Sequence, residues 1–402
     1  MTGRSVPESQ GLSAARLARI GTAVQRMIDR EELAGAVSLV LRRGRIAHLE
    51  SRGLMDLESR RPMTEDAILR FYSMSKPVTA VALLTLYEEG LFQLDDPVSA
   101  YIPEFASFKV FKAMGPKGPE LEDLARPVTV RHLFTHTSGL CYPDPKASPV
   151  SMLMSEAMGG PGDAADRADL AGWIPLLAKA PLAHQPGAGY TYGFSIDVLG
   201  RLVEVLSGKA FDAFLRERVL DPLGMVDTDF YVPTAKKERL AMVYARRKEG
   251  GLEPVDWSNN AYWKKPRFLS GGGGLVSTAA DYLRFARMLL GGGELDGVRI
   301  LGRKTVDLMA SCHIPQLMDR PEVKEGRWFG PSGHTYGLGG RVVAREEGLF
   351  GSVGTYSWDG MAGTTFWVDF REDLVGMLLP QMIPGPPGLS WRFRSLVYQS
   401  LI

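Results

Sequence analysis

The sequence is short of cysteine, has no long apolar run and carries no excess of either charge. Only two of its 402 residues are cysteines, Cys141 and Cys312, so a disulfide framework is excluded, and neither lies in a spacing typical of metal ligands. No stretch approaches the roughly 20 consecutive apolar residues that a membrane-spanning helix needs. The 47 basic residues are balanced by 46 acidic ones, which leaves no basic excess for a nucleic-acid backbone or an anionic membrane surface.

An export signal and disorder are also not indicated. The N-terminal sequence MTGRSVPESQ is polar and lacks the apolar centre of a signal peptide. Hydrophobic residues make up 45% of the chain at a net charge of +1, which is not typical of a disordered protein. We therefore expect a cytoplasmic globular protein that binds neither nucleic acid nor membrane.

The spacing of apolar residues divides the chain into three regions. A helix is predicted after Ser13, followed by a β-hairpin from Ala36 and a second helix from Lys76 to the glycine at position 90. The middle contains further helices and two stretches rich in Pro, Gly and charge, residues 106–126 and 143–166, which predict long surface loops. The last third predicts strands and a final helix at residues 336–344, 364–369, 374–379 and 389–399.

This order predicts an α/β protein of the α+β type. Both chain ends, residues 1–105 and 270–402, are expected to build one α/β domain. Residues 106–269 are expected to form an inserted, mainly helical domain whose two long loops line the rim of a cleft.

The first segment that carries chemistry is Ser73-Met74-Ser75-Lys76, at the front of an apolar helix. Residues three apart on a helix share a face, so Ser73 and Lys76 are neighbours. Burial and the positive end of the helix dipole disfavour a charged lysine, which could then take the serine proton, while helix N–H groups could hold an oxyanion. The structural alternative is a capping serine and a solvated lysine.

Two further segments add candidates. A Pro-Gly turn places Tyr192 just before an apolar helix, and a phenol close to an ammonium could act as a general base. Asp197 follows within that helix and could either bond inside the site or solvate the helix start. Near the C-terminus, Trp358-Asp359-Gly360 lies in a strand-like run, where a glycine would let a substrate carbonyl approach the strand edge. Core packing is the alternative for Tyr192 and Trp358.

Together these three segments resemble the class C β-lactamase-like serine hydrolases, a group that includes penicillin-binding proteins and D-alanyl-D-alanine carboxypeptidases. More specifically, they resemble the esterase branch known as family VIII carboxylesterases. Other stretches that fit the resemblance extend along nearly the whole chain, at residues 71–80, 133–140, 197–200, 271–281 and 366–369.

The resemblance implies an antiparallel sheet flanked by helices and a mechanism without cofactor or metal. It implies that Ser73 is the acylated nucleophile and that Lys76 and Tyr192 handle its proton; which of the two is the base stays open. It further implies an oxyanion hole made by the backbone N–H groups of Ser73 and Met361. The substrate-binding positions that we predict are Tyr142, Asp197, Trp358 and Gly360.

Two departures from the penicillin-recognising relatives indicate the substrate class. Trp358 stands where those relatives have the lysine of Lys-Thr-Gly, which would pair with a substrate carboxylate. Phe194 ends a Tyr-x-Asn pattern in place of the asparagine that would bond an amide. Both changes add apolar surface and favour neutral, short to medium apolar esters as the small-molecule substrate.

Other readings are weaker. No serine has glycine at both positions −2 and +2, so the nucleophile elbow of α/β-hydrolases is absent. His132 and His136 are four apart but lack the His-Glu-x-x-His pattern of zinc hydrolases, and the glycines at 271–274 are not followed by the Lys-Ser/Thr of a phosphate loop. Three alternatives stay open: an acyltransferase, a β-lactamase or D-alanyl-D-alanine carboxypeptidase, and a non-catalytic binding protein. The oligomeric state is not predicted.

Overall fold

The computed structural model describes residues 3–144, 146–159, 168–324, 329–346 and 351–402. Within these ranges, no helix combines the length and apolar character needed to cross a membrane. The helices are α1 (Ala14–Asp29), α2 (Ser75–Glu88), α3 (Val130–Phe134), α4 (Pro149–Ala157), α5 (Leu170–Leu177), α6 (Ser195–Ser207), α7 (Phe211–Leu215), α8 (Asp256–Asn259), α9 (Ala279–Leu290), α10 (Arg303–Met309), α11 (Pro321–Lys324) and α12 (Leu389–Tyr398). The strands are β1 (Gly35–Arg42), β2 (Arg45–Asp56), β3 (Arg61–Pro62), β4 (Leu69–Arg70), β5 (Lys109–Gly115), β6 (Gly118–Asp123), β7 (Tyr244–Arg246), β8 (Leu252–Pro254), β9 (Val276–Ser277), β10 (Glu294–Leu295), β11 (Val298–Arg299), β12 (His334–Tyr336), β13 (Arg341–Val343), β14 (Tyr356–Asp359), β15 (Thr365–Asp369) and β16 (Leu374–Pro380).

One antiparallel sheet joins strands from both parts of the chain. Its order is β12-β13-β14-β15-β16-β1-β2-β3, so the last strand, β16, lies beside the first, β1. Every residue of β1 and β16 is buried, which requires cover on both faces of the sheet. The prediction of an antiparallel sheet flanked by helices is therefore confirmed.

The two faces of the sheet pack against different helices. On one face, α1 and α12 cover Val40, Trp367 and Leu378. On the other face, α9 packs against β15 and β16, and the same core continues to α2, which is buried on nearly every side. A helix that is apolar all round is typical of a core position. The helix that begins after Ser73 is therefore the centre of the molecule.

Local capping signals fix the ends of two helices. The Ser13 side chain accepts the N–H of Arg16 at the start of α1, and the Thr278 side chain accepts the N–H of Asp281 at the start of α9. Helix α1 begins where the sequence predicts, directly after Ser13.

Three predicted elements were wrong or lie partly outside the described residues. The expected loop at 106–126 contains the hairpin β5–β6. The chain around Leu182 pairs with β5 of this hairpin, and the N–H of Phe111 donates to the Leu182 carbonyl at 2.9 Å. The expected strand at 336–344 is two strands, because Gly339 turns the chain against α2, where a Cβ would lie 2.6 Å from the Cβ of Ala80. The expected loop at 143–166 contains α4, and residues 145 and 160–166 lie outside the described residues.

The division into an α/β domain and a helical domain stays a prediction. Strands before residue 105 and after residue 270 do share the sheet. The region between them contains helices α3 to α8 and also the two small hairpins β5–β6 and β7–β8.

Candidate active site

Ser73 lies in a short 3₁₀ turn, Tyr72–Met74, that runs directly into α2. Tyr72 has a φ of 44°, in the left-handed region that a bulky residue rarely adopts. The surrounding contacts hold this strained turn, because the Phe71 N–H bonds the Leu275 carbonyl at 3.0 Å and the Tyr282 hydroxyl bonds the Met74 carbonyl at 2.8 Å. The Ser73 side chain is half-buried, whereas its neighbours Tyr72 and Met74 are buried.

Lys76 is completely buried and donates three hydrogen bonds. Its Nζ lies 3.1 Å from Ser73 Oγ, 3.1 Å from the Tyr142 hydroxyl and 2.6 Å from the Gly272 carbonyl oxygen. An ammonium removed from water needs such partners, because an unpaired buried charge is strongly disfavoured. The alternative of a solvated lysine at a helix start is therefore wrong.

Tyr192 lies across from Lys76, at the end of the loop that precedes α6. The Lys76 Nζ is 4.6 Å from the centre of the Tyr192 ring, and the indole N–H of Trp358 donates to the Tyr192 hydroxyl at 3.3 Å. The backbone on both sides of Tyr192 is bonded to His136: the N–H of residue 191 reaches the His136 carbonyl at 2.9 Å, and that of Gly193 reaches His136 Nδ1 at 3.4 Å. The structure thus brings together Ser73 and the two residues predicted to handle its proton, Lys76 and Tyr192.

Tyr142 contacts Lys76 on the other side of the ammonium. Burial, and then the negative charge of Asp197, raise the pKa of the Tyr142 phenol well above its ordinary value. This phenol therefore stays protonated and accepts the lysine hydrogen bond. Its ring packs edge-on against Phe194 at 4.9 Å, which continues an aromatic wall to Trp173.

Asp197 is buried behind the glycine-rich segment rather than exposed in the cleft. Its Oδ1 accepts the Ser270 hydroxyl at 2.6 Å and the Gly272 N–H at 3.0 Å, and a Cβ on Gly272 would lie 2.5 Å from Asp197 Oδ2. Burial raises the pKa of Asp197, although the charge of Lys76 opposes that rise. Asp197 thus holds Gly272, the residue whose carbonyl oxygen accepts a hydrogen bond from Lys76. A contact with substrate stays a prediction.

The turn after β14 comes close to the Ser73 segment. A Cβ on Gly360 would lie 2.5 Å from the Phe71 carbonyl oxygen, so only a glycine permits this approach. The turn is closed by bonds from the Gly360 N–H to the Thr364 carbonyl and from the Gly363 N–H to the Gly360 carbonyl. Among the described residues, the N–H of Met361 has no hydrogen-bond acceptor, which leaves it available to an oxyanion.

Sequence reasoning missed three contributions to this site. The Gly272 carbonyl is a lysine acceptor, His136 brackets Tyr192, and Arg341 packs beneath Trp358. Burial, and the charge of Lys76, lower the pKa of His136 well below its ordinary value, so its ring is neutral. No local pattern signals these contacts. The available hint is that His136 and Gly272 lie in two of the segments that fit the family resemblance, residues 133–140 and 271–281.

The two histidines considered as a metal pair have separate partners. His132 Nδ1 accepts the N–H of Thr129 at 3.1 Å, whereas His136 Nδ1 faces the N–H of Gly193. Within the described ranges, no group of three or more potential metal-ligating His, Cys, Asp or Glu side chains occurs.

Known proteins match this chain over most of its length. The family model described as Beta-lactamase matches residues 20–388. Esterase EstB of Burkholderia gladioli is 34% identical over 410 residues, covering 94% of this chain and 94% of EstB. Protein Rv1367c of Mycobacterium tuberculosis is 36% identical over 367 residues, covering 90% of this chain and 89% of that protein. The solved structure of EstCE1, described as a hydrolase with promiscuous acyltransferase activity, has a TM-score of 0.80 at 26% identity and covers 96% of this chain and 99% of EstCE1.

Proposed function

The chain belongs to the beta-lactamase family, as its sequence resemblance implies, and from that membership we propose that it is a carboxylesterase acting through an acyl-enzyme on Ser73. The observation that carries the proposal is the fully buried Lys76, whose Nζ lies 3.1 Å from Ser73 Oγ. A buried amine within hydrogen-bond distance of a serine hydroxyl is the arrangement that nucleophilic catalysis requires.

The reaction has two displacements. As Ser73 Oγ bonds to the ester carbonyl carbon, its proton passes to the pair formed by Lys76 and Tyr192, and the oxyanion accepts the N–H groups of Ser73 and Met361. The carbon–oxygen bond to the alcohol then breaks, and the alcohol leaves with that proton. Water repeats the sequence on the acyl-enzyme and releases the acid.

The general base is either Lys76 or Tyr192. Tyr142 is a poor candidate, because burial raises its pKa well above the ordinary value and holds its proton in place. Tyr142 serves instead as a partner that keeps the lysine headgroup pointed at Ser73 Oγ.

The pocket chemistry favours neutral esters. Trp358 is 6% exposed and presents an indole where a carboxylate-binding lysine would stand, and Phe194 continues the aromatic wall. The nearby cation, Arg341, is ion-paired with Asp359 at 2.6 Å and is not available to a substrate carboxylate. Esterase EstB, by its name, acts on esters, and this chain shares 34% of its residues.

Acyl transfer to an alcohol is the second candidate. The description of EstCE1 as a hydrolase with promiscuous acyltransferase activity supports it, because the same acyl-enzyme can meet an alcohol in place of water. A cytoplasmic location and a small-molecule substrate belong to the same proposal.

The proposal is tested with p-nitrophenyl acetate and p-nitrophenyl butyrate, using the wild-type protein and Ser73→Ala. We expect rapid p-nitrophenol release and a transient mass increase of one acyl group, both lost in the variant; Ser207→Ala, which removes a half-buried hydroxyl bonded within α6, provides a control for lost hydroxyls. Added alcohol that raises the release rate and yields a new ester identifies acyl transfer. Undiminished activity of Ser73→Ala, or turnover of a chromogenic cephalosporin faster than of these esters, contradicts the proposal.

A further inference from the structure

Arg341 contacts two consecutive residues of the candidate site, and the inference drawn from this rests on the proposed function. Arg341 begins β13 and is 8% exposed. Its guanidinium carbon lies 5.2 Å from the centre of the Trp358 ring, and its Nη2 lies 2.6 Å from Asp359 Oδ2. The guanidinium carbon also lies 5.0 Å from the centre of the Trp391 ring, so the cation is within cation–π distance of two indoles.

The contact with Trp358 leads directly to the proton-handling residues. The Trp358 ring is held by Arg341 and, edge-on at 5.1 Å, by Tyr336. In that orientation the indole N–H points at the Tyr192 hydroxyl, 3.3 Å away. A rotation of the indole would remove this hydrogen bond, because the donor is a single N–H fixed in the ring plane. The position of Arg341 therefore sets which group faces Tyr192.

The contact with Asp359 leads to the oxyanion turn. Asp359 immediately precedes Gly360 and Met361, whose turn lies against the Ser73 segment. Burial alone would raise the pKa of Asp359, but the charges of Arg341 and Arg394 lower it below the ordinary value, so the carboxylate is ionised. A planar guanidinium that binds this carboxylate and stacks on the neighbouring indole fixes the end of β14 at two adjacent residues.

We infer that Arg341 is a positioning residue of the reaction: it orients the Trp358 N–H toward Tyr192 and anchors the turn that presents the Met361 N–H. Both groups act on the transition state, one on the proton acceptor and one on the oxyanion. Among the described residues, no hydrogen bond, ion pair or ring contact joins Arg341 to Ser73. Its loss should therefore lower the acylation rate rather than weaken substrate binding.

Arg394 provides a matched control. It is also a fully buried arginine stacked on Trp391, at 4.9 Å, but its second ring partner is Trp367 at 5.0 Å, on the side away from Trp358. None of its guanidinium nitrogens has a hydrogen-bond partner among the described residues. Replacing it with lysine removes the second guanidinium from the Trp391 ring, keeps the positive charge that lowers the pKa of Asp359, and leaves the contacts of Arg341 with Trp358 and Asp359 in place.

The experiment measures single-turnover acylation, kcat and KM with p-nitrophenyl butyrate for three variants. Arg341→Lys keeps the charge but cannot stack and bind the carboxylate together, and the double variant R341M/D359N removes both charges so that no unpaired carboxylate is buried. We expect losses in the acylation rate of about tenfold and about a hundredfold, respectively, because small misplacements of catalytic groups have effects of this size. KM should change less than about twofold, and Arg394→Lys should acylate at the wild-type rate.

The outcomes separate the inference from the proposed function. Folding of each variant is checked by circular dichroism, and if Arg341→Lys does not fold, the charge-free double variant carries the test. Wild-type acylation rates in the folded Arg341 variants, a loss confined to KM, or an equal loss in Arg394→Lys would overturn the inference. Absence of a Ser73-dependent acyl adduct in the wild-type protein overturns the proposed function instead, whatever the Arg341 variants do.

Discussion

The two sides of the candidate site are held in place by different means. Ser73 and Lys76 are joined by less than one turn of chain, and the helix they open is packed on all sides. The opposite side is assembled from distant segments: Tyr192 from a loop, Gly272 from a glycine-rich turn, and Trp358 from a strand near the C-terminus.

The two sides of the site therefore depend on different kinds of contact, one local in the sequence and the other long-range. Ser73 and Lys76 lie in one continuous run of 3₁₀ turn and α-helix, which needs only a few outside contacts, those of Leu275 and Tyr282, to hold the turn. The position of Tyr192 depends on tight backbone contacts, such as those of Gly193 and His136, and on buried side chains that reach across the fold. Substitutions on the first side should remove chemistry from an intact frame, whereas substitutions on the second should displace groups that remain present.

The largest effect is expected for Lys76→Met. Removing Nζ deprives Ser73 Oγ, the Tyr142 hydroxyl and the Gly272 carbonyl of a shared donor. We expect kcat/KM for p-nitrophenyl butyrate to fall roughly a thousandfold, since lost proton transfer has effects of this order. Lys76→Arg should be similarly inactive, because a guanidinium does not give up its proton. The exposed Lys179→Met is the control, and a loss below tenfold in Lys76→Met would contradict the role of the lysine.

Tyr192→Phe and Tyr142→Phe should differ, although both rings lie beside Lys76. We expect kcat/KM to fall about a hundredfold for Tyr192→Phe, which loses a proton-handling group, and about tenfold for Tyr142→Phe, which loses only an acceptor. Steady-state kinetics with one ester measures both. The reverse order would make Tyr142 the proton carrier and would conflict with its raised pKa.

Gly193→Ala tests the close packing that the assembled side requires. A Cβ there would lie 2.3 Å from the Leu140 carbonyl oxygen and 2.5 Å from the Cα of Cys141, so the backbone must move. We expect the free energy of unfolding to fall by about 1–3 kcal/mol and kcat to fall with it, since Tyr192 is the preceding residue. Gly172→Ala, on α5 with no contact closer than 3.4 Å, should be neutral or slightly stabilising. Equal stabilities of the two variants would show that Gly193 is not under steric constraint.

Asp197→Asn should have the smallest effect on activity and a characteristic effect on stability. Burial raises the folded-state pKa of Asp197 above its ordinary 3.8, so the stability that the protonated form provides is lost as pH rises through the folded value. Asparagine keeps the Oδ1 acceptor for Ser270 and Gly272 but does not ionise. The free energy of unfolding of the variant relative to wild type should therefore rise as the pH increases from the ordinary pKa of an aspartate through the raised folded-state pKa, as measured by urea denaturation. A difference that is constant with pH would contradict the raised pKa.

The same contrast explains which features could be predicted from the sequence. Ser73 and Lys76 share a local spacing, and Ser13 and Thr278 carry local capping signals, so these positions follow from neighbouring residues. The contacts of His136 and Arg341 join segments 57 and 18 residues apart, and no periodicity encodes them. Tyr192 and Trp358 were candidates from their own segments, and only the family resemblance placed them in one site with Ser73.

The errors in secondary structure have a similar cause. Charged residues at 106–126 indicate exposure, but an exposed hairpin can be as charged as a loop, and its pairing with Leu182 is a long-range contact. The strand predicted at 336–344 is interrupted because Gly339 packs against Ala80 of α2, a neighbour that its own segment does not reveal. In both cases the partner that decided the structure lies far away in the sequence.

The position of β16 between β15 and β1 has a consequence for the time at which the protein becomes active during its synthesis. A ribosome that has released the chain only as far as residue 350 has already exposed Ser73, Lys76 and Tyr192, but β14, β15 and β16 are still to come. Until they emerge, β1 has an open edge and α9 lacks the β15–β16 surface on which it packs, so the nascent chain offers apolar surface to chaperones. Under the proposed function, Ser73 is therefore translated early, but its site is complete only when Trp358 and Met361 have emerged and β16 is inserted.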